Sequence, residues 1–250
     1  PGEPRGPPAT IDDEATRGPA ASRRAEGKDD NGNAIAVWAR DPSPLRSNRN
    51  TAGSGWGTAE LINEGNQAEV REQRLAVGPS GDAFVVWVER GETRDDIWGV
   101  RFSGSTWDEP ERLDSFDAGD KKQPDIAVDG MGVAHAVWSQ ADPDFENIWA
   151  NEYAPGSEWG VPQLVEPPNT DPVEDGDAGG PRISANAAGN TFIVWRQVAN
   201  DWPSVWSNRI DPAIPQPIRH PPHDHRPRLD HRHPPVSARP IRSQARRLSD

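Results

Sequence analysis

Two residues in this sequence have side chains suited to holding a ligand or a proton. His135 stands among small apolar residues, where an imidazole is either a core residue or a group that lines a channel and titrates near neutral pH. Trp202, next to Pro203, would be an aromatic platform for a sugar or peptide if exposed and a packing residue if buried. Both are candidate ligand-binding residues.

Two short loops are rich in carboxylates, the ligands that calcium prefers. Their acidic residues are Asp142, Asp144 and Glu146 in one loop and Glu174, Asp175 and Asp177 in the other. Neither spacing matches a known calcium loop, so a solvated acidic loop is the default interpretation. We predict no cofactor, with calcium in these loops as the alternative, and keep Asp175 and Asp177 as candidate ligand-binding residues.

A third group of metal-binding side chains lies near the C-terminus. The five histidines there are His220, His223, His225, His231 and His233. They would bind transition metals in a test tube. We predict no biological metal site, because the same segment is predicted to be disordered.

Composition restricts the classes of partner. The chain of 250 residues has a net charge of −13, and residues 31–213 alone carry −16. Nucleic acids and anionic membrane surfaces require clustered Lys and Arg, so neither is expected as a partner. No apolar run approaches the roughly 18 residues of a membrane-spanning helix. A glycan or a protein remains as the expected partner.

A repeat organises the central part of the chain. Four segments align without gaps, each beginning with Gly and ending with Trp, at residues 32–38, 81–87, 132–138 and 189–195. Three copies have a second Trp eleven residues later, and three have a third Trp after a turn rich in Gly and Ser. The residues predicted to be structural are Gly32, Gly81, Gly132 and Gly189 with Trp38, Trp87, Trp138, Trp195, Trp98, Trp149, Trp206, Trp56, Trp107 and Trp159.

Each copy predicts four short β-strands. The Gly supplies the positive φ that a hairpin turn needs, and the strand after it is apolar on both faces, which indicates burial on both sides. Two further strands, around the second Trp and after the third, complete four antiparallel strands in about fifty residues. The pattern predicts an all-β chain of propeller blades. A β-sandwich is the alternative, and the strict repetition of Trp disfavours it.

The repeat defines three regions. Residues 1–30 and 214–250 are rich in Pro, Arg and Ala without periodicity, and are predicted to be disordered. Residues 31–213 form the repeat domain, with copies at about 31–66, 72–114, 124–166 and 181–212. The end copies are incomplete, because copy 1 lacks an apolar first strand near Glu26 and copy 4 lacks the third Trp. We interpret the gene as fragmentary or frame-shifted at both ends.

The turn before each third Trp resembles the Asp-box of sialidases and bacterial neuraminidase repeats, Ser-x-Asp-x-Gly-x-Thr-Trp. Residues 103–107 read Ser-Gly-Ser-Thr-Trp, and residues 53–56 and 156–159 are shorter versions, all without the Asp. The resemblance covers about residues 31–211. It implies a propeller with this turn between the third and fourth strands of each blade. The chain is similar to non-catalytic, sialidase-like repeats of secreted bacterial proteins, which implies a secreted, surface or periplasmic location.

The residues that a sialidase reaction needs do not stand out. That reaction uses three arginines, a Tyr–Glu pair and an Asp, and the single tyrosine, Tyr153, occupies the repeat position of Phe102 and Ile210, which predicts packing. The arginines are scattered: Arg101, Arg112, Arg182, Arg196 and Arg209. We predict a non-catalytic module for binding or scaffolding. The alternative is a fragment of a sialidase-like glycoside hydrolase whose catalytic residues lie outside this chain.

Overall fold

The computed structural model describes residues 10–12, 23–39, 44–63, 68–114, 119–141, 145–166, 177–199 and 202–210. All of them belong to one compact unit, residues 1–219. Regular structure in the described ranges is β throughout, with seventeen strands in four antiparallel sheets. Each sheet corresponds to one sequence copy, and we call the sheets blades 1 to 4.

The blades share one layout, in which the first three strands are neighbours in chain order and any shorter strands after them pair with the third. Blade 1 contains β1 (Arg23–Lys28), β2 (Ala34–Ala39), β3 (Leu45–Thr51), β4 (Gly55–Trp56) and β5 (Glu60–Leu61). Blade 2 contains β6 (Val70–Val77), β7 (Ala83–Arg90), β8 (Asp95–Ser103), β9 (Thr106–Trp107) and β10 (Glu111–Arg112). Blade 3 contains β11 (Lys121–Val128), β12 (Ala134–Ala141), β13 (Glu146–Tyr153) and β14 (Gln163–Leu164). Blade 4 contains β15 (Ala178–Ala185), β16 (Thr191–Ala199) and β17 (Trp202–Ile210).

A glycine of the repeat stands in the hairpin turn that joins the first two strands of each blade. The φ angles lie between 81° and 90° at Gly32, Gly81, Gly132 and Gly189. A side chain with a Cβ rarely adopts these values, so Gly fixes the turn. In blade 3 the turn is further held by Asp129, whose Oδ1 accepts the backbone N–H groups of Met131 and Val133.

The third strand of each of the first three blades is flanked by a short outer strand. We call residues 56–63, 107–114 and 159–166 the closing segments of blades 1, 2 and 3. The short strands β5, β10 and β14 lie within them and pair with β3, β8 and β13. The third Trp of each of these three repeats is thus the first residue of a segment that runs along the edge of the third strand.

Neighbouring blades pack face to face, as propeller blades do. Their first strands lie side by side, with β6 between β1 and β11, and β15 on the far side of β11. One tryptophan stands in the core of each interface and is exposed by no more than 3%: Trp87 between blades 1 and 2, Trp138 between blades 2 and 3, and Trp195 between blades 3 and 4. The repeat period of the sequence is thus the period of the blades.

The structure corrects the N-terminal boundary. Strand β1 lies inside residues 1–30, which were expected to be disordered, and pairs with β2 along its whole length. The sequence pattern conceals it because Glu26 and Lys28 are exposed and Gly27 is the residue that meets blade 2. A Cβ on Gly27 would lie 2.6 Å from Cγ2 of Val77, so glycine permits this close approach.

Some predictions fall outside the described residues. They concern Asp142, Asp144, Glu174 and Asp175, most of residues 1–22, and the tail with its five histidines. The described residues include no helix that is long and apolar enough to cross a membrane. Within the same ranges, no group of three His, Asp or Glu side chains is placed to hold a metal ion.

A bulge interrupts the first strand at the same repeat position in blades 2, 3 and 4. Its residues, Glu72, Gln123 and Gly180, have φ of 53°, 55° and 65°. The bulges are linked across blades, because Gln123 N–H donates to Glu72 Oε2 at 2.6 Å and Gly180 N–H donates to Gln123 Oε1 at 2.7 Å. The side chains of Glu72 and Gln123 thus each accept a hydrogen bond from a backbone N–H of the following blade.

Candidate functional site

Each blade has one face that the next blade covers, and in blade 4 this face is open. At four repeat positions the covered side chains of blades 1 to 3 are exposed by 4% or less: Ile35, Phe84 and His135; Val37, Val86 and Val137; Ala39, Val88 and Ser139; Leu45, Ile97 and Ile148. Their counterparts in blade 4 are Phe192, Val194, Arg196 and Val205, which we call the open face. Phe192 is 48% exposed, Val194 43% and Val205 83%.

The open face also carries positive charge. Arg182, Arg196 and Arg209 are exposed, and in the strand register Arg182 is paired with Val194 and Arg209 with Phe192. The guanidinium of Arg209 lies over the Phe192 ring, 5.6 Å from its centroid. In blades 1 and 2 the equivalent arginines, Arg49 and Arg101, lie over an aromatic ring of the next blade. Arg209 uses a ring of its own blade instead.

Blade 4 also presents an unpaired strand edge. In the described residues β17 pairs only with β16, whereas β3, β8 and β13 each have a closing segment on the other edge. An exposed strand edge has backbone donors and acceptors ready to pair with another chain. The edge and the open face adjoin each other, so a ligand of blade 4 can use both.

A cavity of about 320 Å³ lies between blades 3 and 4, beside the end of β17. Ala150, Gln163 and Ile210 line it together with the charged residues Glu152, Glu158 and Arg209. A cavity of this size with a mixed lining is typical of sites that hold a side chain or a small ligand.

His135 and Glu152 form a pair next to this cavity. His135 is 4% exposed, and its Nδ1 lies 2.9 Å from Glu152 Oε1 and its Nε2 3.8 Å from Asp129 Oδ2. The hydrogen bond from His135 lowers the pKa of Glu152 below its ordinary value of 4.5, against the opposing effect of burial. Glu152 is therefore an ionised carboxylate at neutral pH, half exposed at the cavity wall.

Of the residues predicted as a ligand site, the structure describes Trp202, Asp177 and His135. Trp202 and Asp177 lie at the same end of blade 4, and His135 lies towards the opposite end of the strands, in blade 3. Trp202 is 75% exposed at the first residue of β17, and the cavity lies at the other end of that strand, about 26 Å away at the usual rise per residue. Asp177 is exposed, and its Oδ1 accepts the backbone N–H of Glu146 at 3.2 Å. His135 contributes to the cavity only through Glu152.

Tyr153 has a packing environment. It is 6% exposed, and its ring lies 5.1 Å from Phe84 and 5.9 Å from Trp159, centroid to centroid. Its hydroxyl accepts a hydrogen bond from Arg101 Nη1 at 2.9 Å. The single tyrosine thus joins blades 2 and 3.

Sequence reasoning missed the residues that end the closing segments. Asn63, Asp114 and Glu166 each accept the backbone N–H of an apolar residue at the start of the third strand. The role of the asparagines at one repeat position, Asn48, Asn151 and Asn208, was missed as well. Asn151 and Asn208 donate to the backbone carbonyls of Leu113 and Val165 in the preceding blade. The signal was available: an acid or amide follows the apolar residue six positions after each third Trp.

No family model matches the sequence, and no curated protein matches it. The fold is similar to that of the α-L-arabinanase of Penicillium chrysogenum complexed with arabinobiose, with a TM-score of 0.50 and 16% identity over 76% of this chain and 62% of that one. It is also similar to the GH93 α-L-arabinofuranosidase of Fusarium graminearum, with a TM-score of 0.51 and 13% identity over 81% of this chain and 66% of that one.

A third similar structure is a protein of unknown function from Dyadobacter fermentans, with a TM-score of 0.50 and 12% identity over 74% of this chain and 51% of that one. This chain therefore spans between 51% and 66% of the length of these three structures. At such low identities the likeness shows a shared fold.

Proposed function

We propose that the chain is a non-catalytic binding module that takes its ligand on the open face and free edge of blade 4. The observation that carries this proposal is the exposure of Phe192, Val194 and Val205 at positions that are buried in the other three blades. A contiguous apolar patch that is ordinarily covered is typical of a binding surface. The resemblance of the sequence to sialidase-type repeats supports a larger secreted or surface protein as the setting of the module.

The arginines give the surface its chemical preference. Arg182, Arg196 and Arg209 surround the apolar side chains, although the repeat domain as a whole is acidic. Arginine binds carboxylates in bidentate geometry and contributes to specificity at interfaces. A ligand with an apolar strip and negative charges at its border fits this face.

The alternative, a fragment of a sialidase-like glycoside hydrolase whose catalytic residues lie outside this chain, draws support from the fold shared with the arabinanase and the arabinofuranosidase. A glycosidase needs one carboxylic acid with a raised pKa as proton donor. Of the two carboxylates that line the cavity, Glu152 and Glu158, Glu152 has a lowered pKa instead, because His135 is hydrogen-bonded to it. This carboxylate is therefore suited to binding a cation or a donor group and poorly suited to general acid catalysis.

A neutral solvatochromic dye, Nile red, tests the binding surface. We expect the chain to bind the dye and the double variant Val194→Ser/Val205→Ser to lose most of that binding, because both valines belong to the open face. Met131→Ser is the matched control, since Met131 is 56% exposed but lies in the hairpin turn of blade 3. Equal dye binding by all three proteins would refute the proposal.

An activity assay tests whether this chain is itself catalytic. Incubation of the chain with arabinan oligosaccharides should release no shorter sugar. Release that survives in Val194→Ser/Val205→Ser and disappears in Glu152→Gln would assign a catalytic group to this chain and contradict the proposal of a non-catalytic module.

A further inference from the structure

The closing segments of the three complete copies share one sequence pattern. Each begins with Trp, has an apolar residue six positions later, and ends with an acid or amide directly after it. The three sets are Trp56, Ile62 and Asn63; Trp107, Leu113 and Asp114; and Trp159, Val165 and Glu166. The sequence after Trp206 contains no further Trp, so residues 211–250 do not carry this pattern.

The first element of the pattern, Trp, occupies a defined slot. Trp107 donates from Nε1 to Ser47 Oγ at 2.9 Å and to Glu60 Oε1 at 3.2 Å, both in blade 1. Its ring also lies 5.3 Å from Phe102 of its own blade, centroid to centroid. The slot therefore has two walls from the preceding blade and one from its own blade.

The cavity between blades 3 and 4 has the same three walls. By repeat position, Ala150 corresponds to Ser47, Gln163 to Glu60 and Ile210 to Phe102, and all three line the cavity. Gln163 offers an amide oxygen where Glu60 accepts the indole N–H. The cavity is thus the tryptophan slot of blade 4.

The other two elements of the pattern engage the edge of the third strand. Residue 97 is typical: its N–H donates to Asp114 Oδ2 at 2.7 Å, and its carbonyl accepts the N–H of Leu113 at 2.8 Å. The same two bonds are made at Leu45 and at Ile148. Val205 is the counterpart of these residues in β17.

We propose that blade 4 binds an extended segment of another polypeptide that carries Trp, then Leu, Ile or Val six residues later, then Asp, Asn or Glu. The segment pairs with the edge of β17 by β-strand addition and inserts its Trp into the cavity. The apolar residue covers Val205, and the acid or amide accepts the Val205 N–H. This partner class rests on the proposed function, because it assigns a ligand to the same surface.

Arg209 lies beside one position of the segment, although the cavity itself is lined by Glu152 and Glu158 as well. In blade 2 the closing segment places the backbone N–H of Asp108 on the Arg101 carbonyl at 2.8 Å, and Arg101 has the repeat position of Arg209. A segment with an acidic residue directly after its Trp would therefore meet Arg209.

A synthetic peptide with the sequence of residues 104–114, Gly-Ser-Thr-Trp-Asp-Glu-Pro-Glu-Arg-Leu-Asp, is the probe. Its affinity for the full chain is measured by anisotropy of a fluorophore on the peptide. We expect saturable binding, and we expect the same peptide with Ala in place of Trp to bind at least about tenfold more weakly, as for a buried aromatic anchor. Absence of binding, or equal binding by both peptides, would overturn the proposal.

Two chain variants locate the peptide. Val205→Pro removes the backbone N–H at the unpaired edge, where proline is tolerated in strands, and should abolish binding. Val205→Ala trims the side chain but keeps the N–H, and should retain most of the affinity. Equal affinities of the two variants for the peptide would exclude pairing with β17.

Sedimentation of the chain over a range of concentrations examines a second copy as the occupant. We expect a monomer that binds the peptide. A dimer that Val205→Pro dissociates and that excludes the peptide would assign the site to a second copy and overturn this partner class. The proposed function fails separately, if Nile red does not report the open face.

Discussion

The tryptophans of this chain differ in burial, and their energetic roles follow from it. Trp138 is fully buried between blades 2 and 3, and its Nε1 donates to Gln140 Oε1 at 3.3 Å. Trp202 is 75% exposed. The residue type alone did not predict this difference in exposure, because the burial of a tryptophan depends on whether a neighbouring blade covers it.

Truncation of Trp138 should be costly. We expect Trp138→Ala to lower the free energy of unfolding by about 3–5 kcal/mol, since a large cavity opens in a blade interface. The control Trp202→Ala should change it by less than about 0.5 kcal/mol, as at exposed sites. Chemical denaturation of both variants measures the difference, and equal losses would contradict the assignment of Trp138 to the interface.

The pair of His135 and Glu152 predicts a dependence of stability on acid. The pKa of Glu152 is lowered in the folded chain by its hydrogen bond to His135, so its contribution is present above the ordinary value of 4.5 and is lost as the pH falls through the lowered value. Thermal unfolding between about pH 5 and about pH 3 should therefore show a smaller loss in Glu152→Gln than in the parent chain. Parallel curves would show that the pair adds no stability.

At the scale of elements, the closing segments anchor their third strands through buried polar groups. Asp114 combines this role with charge, because its fully buried carboxylate lies 3.3 Å from the equally buried Lys121 Nζ. The two other closing segments end with Asn63 and Glu166, so the acceptor is constant and the charge is not.

Substitution of Asp114 should separate charge from hydrogen bonding. Asp114→Ala removes the acceptor for Ile97 N–H and reduces the negative charge around a buried ammonium, so we expect a loss of about 3–5 kcal/mol. Asp114→Asn keeps an oxygen acceptor, as Asn63 does, and should lose less. Urea unfolding of the two variants provides the comparison. A greater loss in Asp114→Asn than in Asp114→Ala would contradict the roles assigned here.

The strands that sequence could predict are those covered on both faces. Such strands are apolar at nearly every position and do not alternate with polar residues. Residues 83–87 and 134–138 could therefore be predicted as strands from their apolar residues. Strand β1 was not evident, because its outward residues Glu26 and Lys28 remain exposed. The cavity could not be predicted from the sequence either. It lies between two blades, at the position that corresponds to the slot of the third Trp, and blade 4 has no third Trp to fill it.

At the scale of the whole molecule, the four blades form an array whose two ends differ. The outward residues of β1 at one end are charged, and the open face at the other end is apolar. In a linear array the terminal repeat has one neighbour in place of two, and interface contacts carry much of the stability. Blade 4 also lacks a closing segment among the described residues.

Hydrogen exchange should reveal this asymmetry. We expect the amides of β16 and β17 to exchange faster than those of β7, β8, β12 and β13, because blade 4 can open without disrupting two interfaces. Mass spectrometry of the exchanged chain measures this by segment. Uniform protection across all four blades would mean that blade 4 has a partner surface in the isolated chain.

The ladder of bulges allows separation of blades to be distinguished from unfolding within a blade. The N–H groups of Gln123, Gly180 and Ile183 donate to side chains of the preceding blade, at 2.6, 2.7 and 3.1 Å. The hydrogen bonds between strands of one blade can persist while two blades slide apart, but these three hydrogen bonds between blades cannot. Their NMR signals are therefore natural reporters of sliding between blades, readable without any added label.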